Sequence, residues 1–580
     1  MNYIGVNILE LSKNAKAIAE KRYFEENEDW EQLSRRVGKA ASKNENDQLK
    51  WQDIFAEEIY NMNFIPGGRV LRNAGKIRQS MLNCACLPVE DSIESIGELI
   101  KNSLILWSYG AGLGVDFSPL REKGRPLRSK GGESSGMVSF LEAIDSVAHT
   151  IETGGQRRSG CLGMCMASHP EIFDFIDAKI EDKKLSYFNL SVAIDRQFIE
   201  AVENDDKWDL RFSGQTVRTV KAMDLWNKIL DSQIKSGEPG IINYDNLRKN
   251  NSYYFQPISC VNLCSELPLP AYGMCVLGSL VLPSFISLSG KSTNWQKLEK
   301  SISSSIRFLD NMIDVNFFPL KQSEQVAKDS RRIGMGVMGL HDYFIHKRIK
   351  YGSEESINEI DRLFKFIRNV AYQTSIELAI EKGAFPKFMP NEYTKSSYVR
   401  KLPPKLRMDI KDKGIRNVTM LAAAPTGTTS LIADVSSGIE PIFSMAYKRK
   451  DRVSERIYIH KKLLDHLKED KFKPGWMVDA YDLDPTDHLE VQASIQKFLD
   501  NSVSKTINCP KEMTSNKLSK ILLEYIRDLV GITIYVDGSR GNQPLEQLNF
   551  NEIKKYLKDE DITSDKIEED VMCSSGECDL

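Results

Sequence analysis

An α/β fold with a largely parallel sheet is the fold class that this sequence predicts. Short apolar, strand-like runs such as Val276–Leu282 alternate with segments whose apolar residues recur every three or four positions. One such segment begins at Ile357 and ends near Gly383, which is the length of a long helix. Strands that alternate with helices are usually joined by crossover connections, and we therefore expect most strands to pair in parallel.

Two helices are predicted in the N-terminal region, residues 1–75. Each has large apolar residues at spacings of three and four, which places them on one helix face. These residues are Trp30, Leu33 and Val37 in the first helix, and Trp51, Phe55 and Ile59 in the second. The run Pro66-Gly67-Gly68 ends the region, because proline and glycine break helices.

A further helix is predicted to begin at Asp91. Asp91 and Glu94 have the spacing of an N-cap pair. We expect Gly110, Gly112 and Gly114 to end this helix. The apolar residues expected to face inward are Ile93, Ile96, Leu99 and Ile100.

Composition excludes several classes of protein. Of 580 residues, 78 are Lys or Arg and 81 are Asp or Glu, so the net charge of −3 argues against binding to nucleic acid or to a membrane surface. No apolar signal segment or membrane span is visible. The ten cysteines are scattered, which favours a cytoplasmic protein with working thiols. With no CxxC pair, no HExxH and seven dispersed histidines, no metal site is predicted.

The sharpest chemical signal is an alternation of Asn262, Cys264 and Glu266. In an extended loop, alternate residues face the same side, so an amide, a thiol and a carboxylate would meet one substrate together. The alternative is a buried structural cysteine with polar neighbours. Cys84 marks a second thiol site, whereas Cys161 and Cys165 are interpreted as packing residues with a weak metal alternative.

Two further segments are candidates for binding phosphate or a nucleotide base. The first carries Thr426, Gly427, Thr428, Thr429 and Ser430 before an apolar run, as in a phosphate cradle at a helix N-terminus. The second, residues 154–160, holds two arginines between glycines. The alternatives are an ordinary helix cap and an exposed turn.

Taken together, these segments resemble the ribonucleotide reductases, and most closely the class II, adenosylcobalamin-dependent group. The run from Cys264 to Leu280 is the strongest match. The other matching stretches are 64–75, 83–96, 131–140, 154–179, 425–443 and 504–544. The resemblance implies a ten-stranded α/β barrel over residues 76–548 with a central finger loop that carries Cys264. The helical N-terminal region would pack outside, and residues 549–580 would form a mobile C-terminal tail.

The resemblance also implies catalytic roles. Cys264 would become a thiyl radical, in a site shielded from water, and abstract the 3′ hydrogen of the ribonucleotide. Glu266 would take the proton of the 3′-hydroxyl, and Asn262 would hydrogen-bond the ribose hydroxyls. Cys84 and Cys275 would supply two electrons and end as a disulfide. The departures from the family pattern are Leu263 and Ser265 beside the thiyl cysteine, Val276 after Cys275, and Val536.

Partners follow from the same resemblance. Cys573 and Cys578, at the end of the charged tail, would shuttle electrons from a thioredoxin-like reductant. A deoxynucleoside triphosphate effector would bind at the interface of a homodimer. The residues matched to the effector site are Asp91, Arg121, Arg128 and Arg157.

Two features favour class II over a class I large subunit that needs a separate radical-generating subunit. Cys264 and Cys275 are eleven positions apart, and the C-terminal barrel segment has Tyr535 alone where class I has a tyrosine pair. An inactive nucleotide-binding regulator is a more distant alternative.

The predicted cofactor is adenosylcobalamin, and a diphosphate substrate is favoured over a triphosphate. The residues expected at the cofactor are Ser504, Lys505, Thr506, Tyr535, Asp537, Gly538 and Ser539.

Overall fold

The computed structural model describes most of the chain. The described residues are 10–82, 84–127, 131–153, 157–158, 160–180, 184–249, 251–287, 290–450, 455–459, 463, 474–539, 545–548, 552–553 and 567–568.

Helices contribute more residues to the described chain than strands do. The α-helices are Lys13–Arg22, Trp30–Ala41, Gln48–Tyr60, Gly68–Asn73, Ile93–Ser108, Met137–Ala148, Ile172–Asp177, Arg196–Glu203, Ala222–Ser236, Tyr244–Lys249, Trp295–Val315, Lys321–Ser330, Leu340–Lys347, Glu354–Lys382, Pro390–Tyr393, Pro404–Lys413, Gly427–Ile432, Pro485–Gln496 and Ser515–Tyr525. Two short 3-10 helices are Leu282–Phe285 and Val399–Lys401. In the described part of the chain, no helix combines the length and the apolar character needed to cross a membrane.

The strands are mostly short. They are β1 (Phe64–Pro66), β2 (Cys84–Cys86), β3 (Gly112–Asp116), β4 (Glu152–Thr153), β5 (Arg157–Arg158), β6 (Gly160–Met166), β7 (Phe188–Ile194), β8 (Lys207–Phe212), β9 (Gln215–Lys221), β10 (Gly240–Asn243), β11 (Ile258–Val261), β12 (Pro268–Pro270), β13 (Met274–Val281), β14 (Ile333–Met338), β15 (Ala446–Lys450), β16 (Glu455–Ile459), β17 (Thr506–Cys509), β18 (Gly531–Val536), β19 (Leu545–Gln547) and β20 (Ile567–Glu568).

Ten of these strands form one large sheet. Nine follow the order β1-β13-β2-β3-β6-β7-β10-β18-β17, and the tenth, β14, pairs with β13 as a branch from this order. Strands β2, β3, β6, β7 and β10 are parallel neighbours, as are β13 with β14 and β17 with β18. The five-stranded group meets the two smaller groups in antiparallel pairs, at β13–β2 and at β10–β18. The predicted α/β class is thus confirmed, with parallel strands joined by helical crossovers.

Short bridges continue this sheet beyond β14. Residue 421 bridges Met335 of β14, and Ala423 bridges Val503 just before β17. Hydrogen bonds therefore run from β14 towards β17, as the predicted barrel requires. Closure of the barrel itself stays a prediction.

The two helices predicted in the N-terminal region are confirmed. Trp30, Leu33 and Val37 are buried in one helix, and Phe55 and Ile59 in the next. The first of them begins with a capping box in which Asp29 and Gln32 satisfy each other's backbone N–H groups. The long helix predicted to end near Gly383 runs over Glu354–Lys382.

The expectation for the helix near Asp91 needs two corrections. Its N-cap is Ser92, whose hydroxyl accepts from the N–H of Ser95, and Ile93 is exposed rather than inward. Gly112 and Gly114 do not end the helix; they belong to strand β3, at alternate positions. Glycines spaced by two leave one face of a strand bare, which admits another backbone.

Candidate active site

The finger loop is the tip of a β-hairpin. Strands β11 and β12 pair antiparallel, and the six residues between them turn back on themselves. Within this turn the N–H of Ser265 donates to the carbonyl of Asn262 at 3.0 Å, and the N–H of Leu267 donates to Oδ1 of Asn262 at 2.9 Å. The predicted extended loop is therefore a tight turn. Ser265 has φ of 65°, a left-handed conformation that favours glycine.

Glycines of the large sheet make room for this hairpin. A Cβ atom on Gly114 would lie 1.7 Å from the carbonyl oxygen of Val261, the last residue of β11. Added Cβ atoms on Gly112 and Gly160 would lie 3.2 Å and 2.8 Å from the side chain of Leu263. The finger thus lies directly on the bare face of β3 and β6, with Leu263 packed where those strands have no side chains.

The tight turn still brings the three predicted residues to one cavity of about 450 Å³. Asn262 and Glu266 are buried, whereas Cys264 at the turn's tip is exposed to the cavity. The expectation that Cys264 is shielded from water is therefore wrong, because its side chain is exposed at the cavity.

Cys84 and Cys275 are directly opposite each other in the antiparallel pair of β2 and β13. Opposed residues in such a pair have Cα atoms about 4.5–5.5 Å apart, which falls within the range that a disulfide spans. Both are free thiols here and both are buried, and burial raises the pKa of each well above its usual range. They stay protonated until another group takes the proton.

Glu266 lies beside this pair. Its Oε1 accepts a long hydrogen bond from Sγ of Cys84 at 3.9 Å. Burial raises the pKa of Glu266 to about 7, and the nearby Asn262 amide and Cys84 thiol only partly oppose that effect. Oε2 of Glu266 and Nδ2 of Asn262 are buried without a hydrogen-bond partner among the described residues. Two polar atoms that line a cavity in this state can bind the hydroxyls of a ligand.

The predicted phosphate cradle lines the same cavity. Thr426, Gly427, Thr428 and Thr429 face the same cavity, but Ser430 does not line it. Several of the hydroxyls already have internal partners: that of Thr426 accepts from the N–H of Gly438 at 2.7 Å, and that of Thr429 donates to the carbonyl of Thr426 at 3.2 Å.

The N-terminal region also reaches this cavity, which the sequence did not predict. The residues that it contributes to the lining include Arg22, Tyr23, Arg69 and Arg72. The only sequence feature that could have indicated this contact is the group of arginines near Gly67 and Gly68. No local sequence pattern relates those residues to Thr428.

The residues predicted at the cofactor divide into two groups. Ser504, Lys505 and Thr506 line the cavity, whereas Tyr535, Asp537, Gly538 and Ser539 lie beyond its lining. The two groups are connected by strands β17 and β18, in which Thr506 pairs with Thr533 and Asn508 with Tyr535. These four side chains share one polar face, because register partners and alternate residues point the same way.

Lys505 is buried in an internal ion cluster. Its ammonium donates to Glu440 at 2.6 Å, to Nδ1 of His488 at 3.0 Å and to the carbonyl of Thr506 at 3.2 Å. Burial lowers the pKa of Lys505. All three of its N–H groups are thus engaged, so its role is to hold Glu440 in the cavity wall.

The remaining predicted residues lie away from the cavity or outside the described residues. Asp91 and Arg121 form a half-buried ion pair at 2.8 Å. The backbone of Arg157 belongs to β5, and Arg128, Cys573 and Cys578 are outside the described residues. The interpretation of Cys161 and Cys165 as packing residues is confirmed, since both are buried in β6.

A cavity-facing thiol next to a buried pair of thiols and a carboxyl is an arrangement expected of an oxidoreductase that uses a dithiol. The family model described as "Ribonucleotide reductase, barrel domain" matches residues 82–535. The chain therefore belongs to the ribonucleotide reductases, and its reaction is the reduction of ribonucleotides.

The relatives agree with this assignment. A protein of Thermoplasma acidophilum named vitamin B12-dependent ribonucleoside-diphosphate reductase is 33% identical over 90% of this chain and 71% of its own length. A Mycobacterium tuberculosis protein of the same name is 33% identical over 86% of this chain and 73% of its own. The ribonucleoside-diphosphate reductase large subunit of Danio rerio is 29% identical over 72% of this chain and 59% of its own. The class I alternative is thus not favoured.

Proposed function

We propose that this chain reduces ribonucleoside diphosphates to 2′-deoxyribonucleoside diphosphates by a thiyl-radical mechanism that depends on adenosylcobalamin. The observation that carries the proposal is the placement of Cys264 at the tip of the finger, beside the register pair Cys84–Cys275. The names of the Thermoplasma and Mycobacterium relatives supply the diphosphate and the cofactor.

The polar face of β17 and β18 fits an amide-rich cofactor. Both polar atoms of the Asn508 side chain are buried without a partner in the described part of the chain, as is the hydroxyl of Ser539. A Cβ on Gly531, at the start of β18, would lie 3.4 Å from Cβ of Ser265, so this strand begins against the finger. Thr506, Asn508, Thr533 and Tyr535 are the residues that would hold adenosylcobalamin, which supplies an organic radical when its cobalt–carbon bond breaks homolytically.

The chain's own residues then account for the remaining chemistry. Cys264, as a thiyl radical, takes the 3′ hydrogen of the substrate and returns it at the end. Glu266 receives the 3′-hydroxyl proton and returns it to the 3′ oxygen when the product forms, a role for which a pKa of about 7 is suited. The 2′-hydroxyl leaves as water with a proton from the Cys84–Cys275 pair. That pair gives two electrons and two protons in all, and one S–S bond forms.

The partners and the organisation are proposed on the resemblance. Cys573 and Cys578, in a tail spanning 549–580, would reduce the Cys84–Cys275 disulfide and receive electrons from a thioredoxin-like protein. The catalytic domain would span 76–548 and follow an N-terminal region of residues 1–75. Asp91, Arg121, Arg128 and Arg157 would bind a deoxynucleoside triphosphate at a homodimer interface. We place the enzyme in the cytoplasm.

The test is an assay of the isolated chain with CDP, adenosylcobalamin and a small dithiol, and with no second protein. We expect dCDP to form. Activity with a metal-containing radical subunit and none with the cobalamin would overturn the cofactor assignment. A second measurement uses a variant with both tail cysteines changed, Cys573→Ser and Cys578→Ser, so that the tail cannot reduce the product disulfide. Peptide mapping after one turnover without reductant should recover a Cys84–Cys275 disulfide and leave Cys86 free.

A further inference from the structure

We propose that the N-terminal helical region completes the substrate site. In this arrangement Arg72 binds the terminal phosphate of the nucleotide, and Tyr23 positions the phosphate loop, residues 425–429. The inference rests on the proposed function, because it takes the ligand of the cavity to be a nucleoside diphosphate.

Tyr23 makes the direct link between the two regions. It follows the helix Lys13–Arg22 and is buried, and its hydroxyl lies 2.6 Å from Oγ1 of Thr428. A Cβ on Gly68 would lie 2.8 Å from the same hydroxyl, so only a glycine at that position leaves room for the tyrosine. The Tyr23 hydroxyl is therefore held between residue 68 and the phosphate loop.

The same helix is tied to the chain beyond the phosphate loop at its other end. The hydroxyl of Ser12, its N-cap, donates to Oδ1 of Asp434 at 3.1 Å. Both ends of the helix are thus bonded to the stretch 428–434. A helix fixed in this way restrains the phosphate loop and does not simply pack on the outside of the fold.

Arg72 supplies a charge that no described residue neutralises. It is half-buried in the helix Gly68–Asn73, it lines the cavity, and it has no hydrogen bond or ion pair with any described residue. Arg36, in the same region, shows the contrasting case: its guanidinium binds both carboxylate oxygens of Glu28, at 2.7 and 2.9 Å. A half-buried guanidinium is costly without an anion, and its planar fork suits phosphate.

The carboxylates that line the cavity do not supply that anion. Glu238 pairs with Lys179 at 2.6 Å, and Glu440 pairs with Lys505 at 2.6 Å. Glu266 lies with the cysteines, and its raised pKa of about 7 reduces its charge at neutral pH. The anion that Arg72 can bind in this cavity is therefore the polyphosphate of the nucleotide.

The test for Arg72 measures equilibrium binding of CDP and CMP to the full chain by calorimetry. Arg72→Gln should weaken CDP about 10- to 100-fold, the range for a charge-assisted hydrogen bond, and change CMP by less than about 3-fold. Arg72→Lys should recover part of the loss. Arg35→Ala is the control, since Arg35 is exposed and pairs only with Glu31. Equal weakening of CDP and CMP, unchanged CDP binding, or a wild-type chain that does not bind CDP would overturn the proposal.

The test for Tyr23 separates positioning from general stability. Tyr23→Phe should raise KM for CDP about 3- to 10-fold with kcat nearly unchanged, as expected for one neutral hydrogen bond. Combining it with Thr428→Val should add little, because the two hydroxyls form one pair. Tyr525→Phe, which removes a surface hydroxyl bonded to Glu490, is the control. Additive effects, or a fall in kcat alone, would contradict the role. A chain that binds CDP with this pattern but forms no dCDP would refute only the proposed function.

Discussion

Glu266 and Asp91 are both carboxylates at predicted ligand sites, yet they lie in opposite environments. Glu266 is buried at the finger, with one oxygen unpartnered among the described residues and a pKa raised to about 7. Asp91 is half-buried and already binds the guanidinium of Arg121 through both oxygens, at 2.8 and 3.0 Å. The finger keeps polar atoms available for chemistry at a cost in stability, whereas the carboxylate of Asp91 already has its partner within the protein.

The largest effect is expected when the thiol of the finger is removed. Cys264→Ser should lower the rate of a single turnover by at least about 10⁴-fold, since no other group can carry the radical. Rapid quench of pre-reduced enzyme with adenosylcobalamin measures this rate. Cys165→Ala, a buried packing cysteine in β6, should keep the single turnover. Loss of activity in both variants would point to misfolding, and activity in Cys264→Ser would contradict the thiyl assignment.

The raised pKa of Glu266 gives the next largest effect. A base must be deprotonated, so kcat/KM of the wild type should fall about tenfold per pH unit below a pKa of about 7. Glu266→Gln should lower kcat by about 10²- to 10⁴-fold and remove that slope. If the variant keeps the fall in kcat/KM at low pH, another group is the base.

The buried carboxyl of Glu266 also destabilises the fold at high pH, because its charged form loses solvation. The variant should therefore lose less stability than the wild type as the pH rises from about 4.5 to about 7, the interval between the ordinary and the raised pKa.

A smaller effect is expected at the glycines of β3 and β6 on which the finger packs. Gly114→Ala would force its Cβ against the carbonyl of Val261, and we expect a loss of about 3 kcal/mol and displacement of the finger. Gly97→Ala is the matched control, since its Cβ meets no atom within 4 Å and lies in a helix, where alanine should stabilise by about 0.5–1 kcal/mol. Denaturant unfolding measures both. Equal effects would show that the finger does not rest on β3.

The smallest effect is expected at the Asp91–Arg121 pair. Asp91→Asn should cost about 0–1 kcal/mol of stability, and less at high salt, because solvent still reaches this half-buried ion pair and screens it. Thermal unfolding at low and high ionic strength measures this. The rate without any effector should stay unchanged. A loss above about 2 kcal/mol would show that Asp91 is structurally more important than its exposure indicates.

Local pattern in the sequence determined the α/β class, the helices at Trp30 and Glu354, and the residue types of the finger. Periodicity and residue chemistry act over a few positions, so these features are readable without a structure. The same local reasoning misread Gly112 and Gly114 as a helix end, because it could not see that another backbone covers them.

Tertiary structure alone decided which distant residues come into contact and how far their side chains are exposed to solvent. The register of β2 and β13 sets Cys84 opposite Cys275, and the fold brings Tyr23 to Thr428. No short-range signal encodes such contacts, since they depend on the packing of the whole sheet. Burial likewise sets the pKa of Glu266, and the tight turn exposes Cys264. The sequence thus determines which reactive side chains are present. Their protonation states and their contacts are set only when the sheet and the finger pack together.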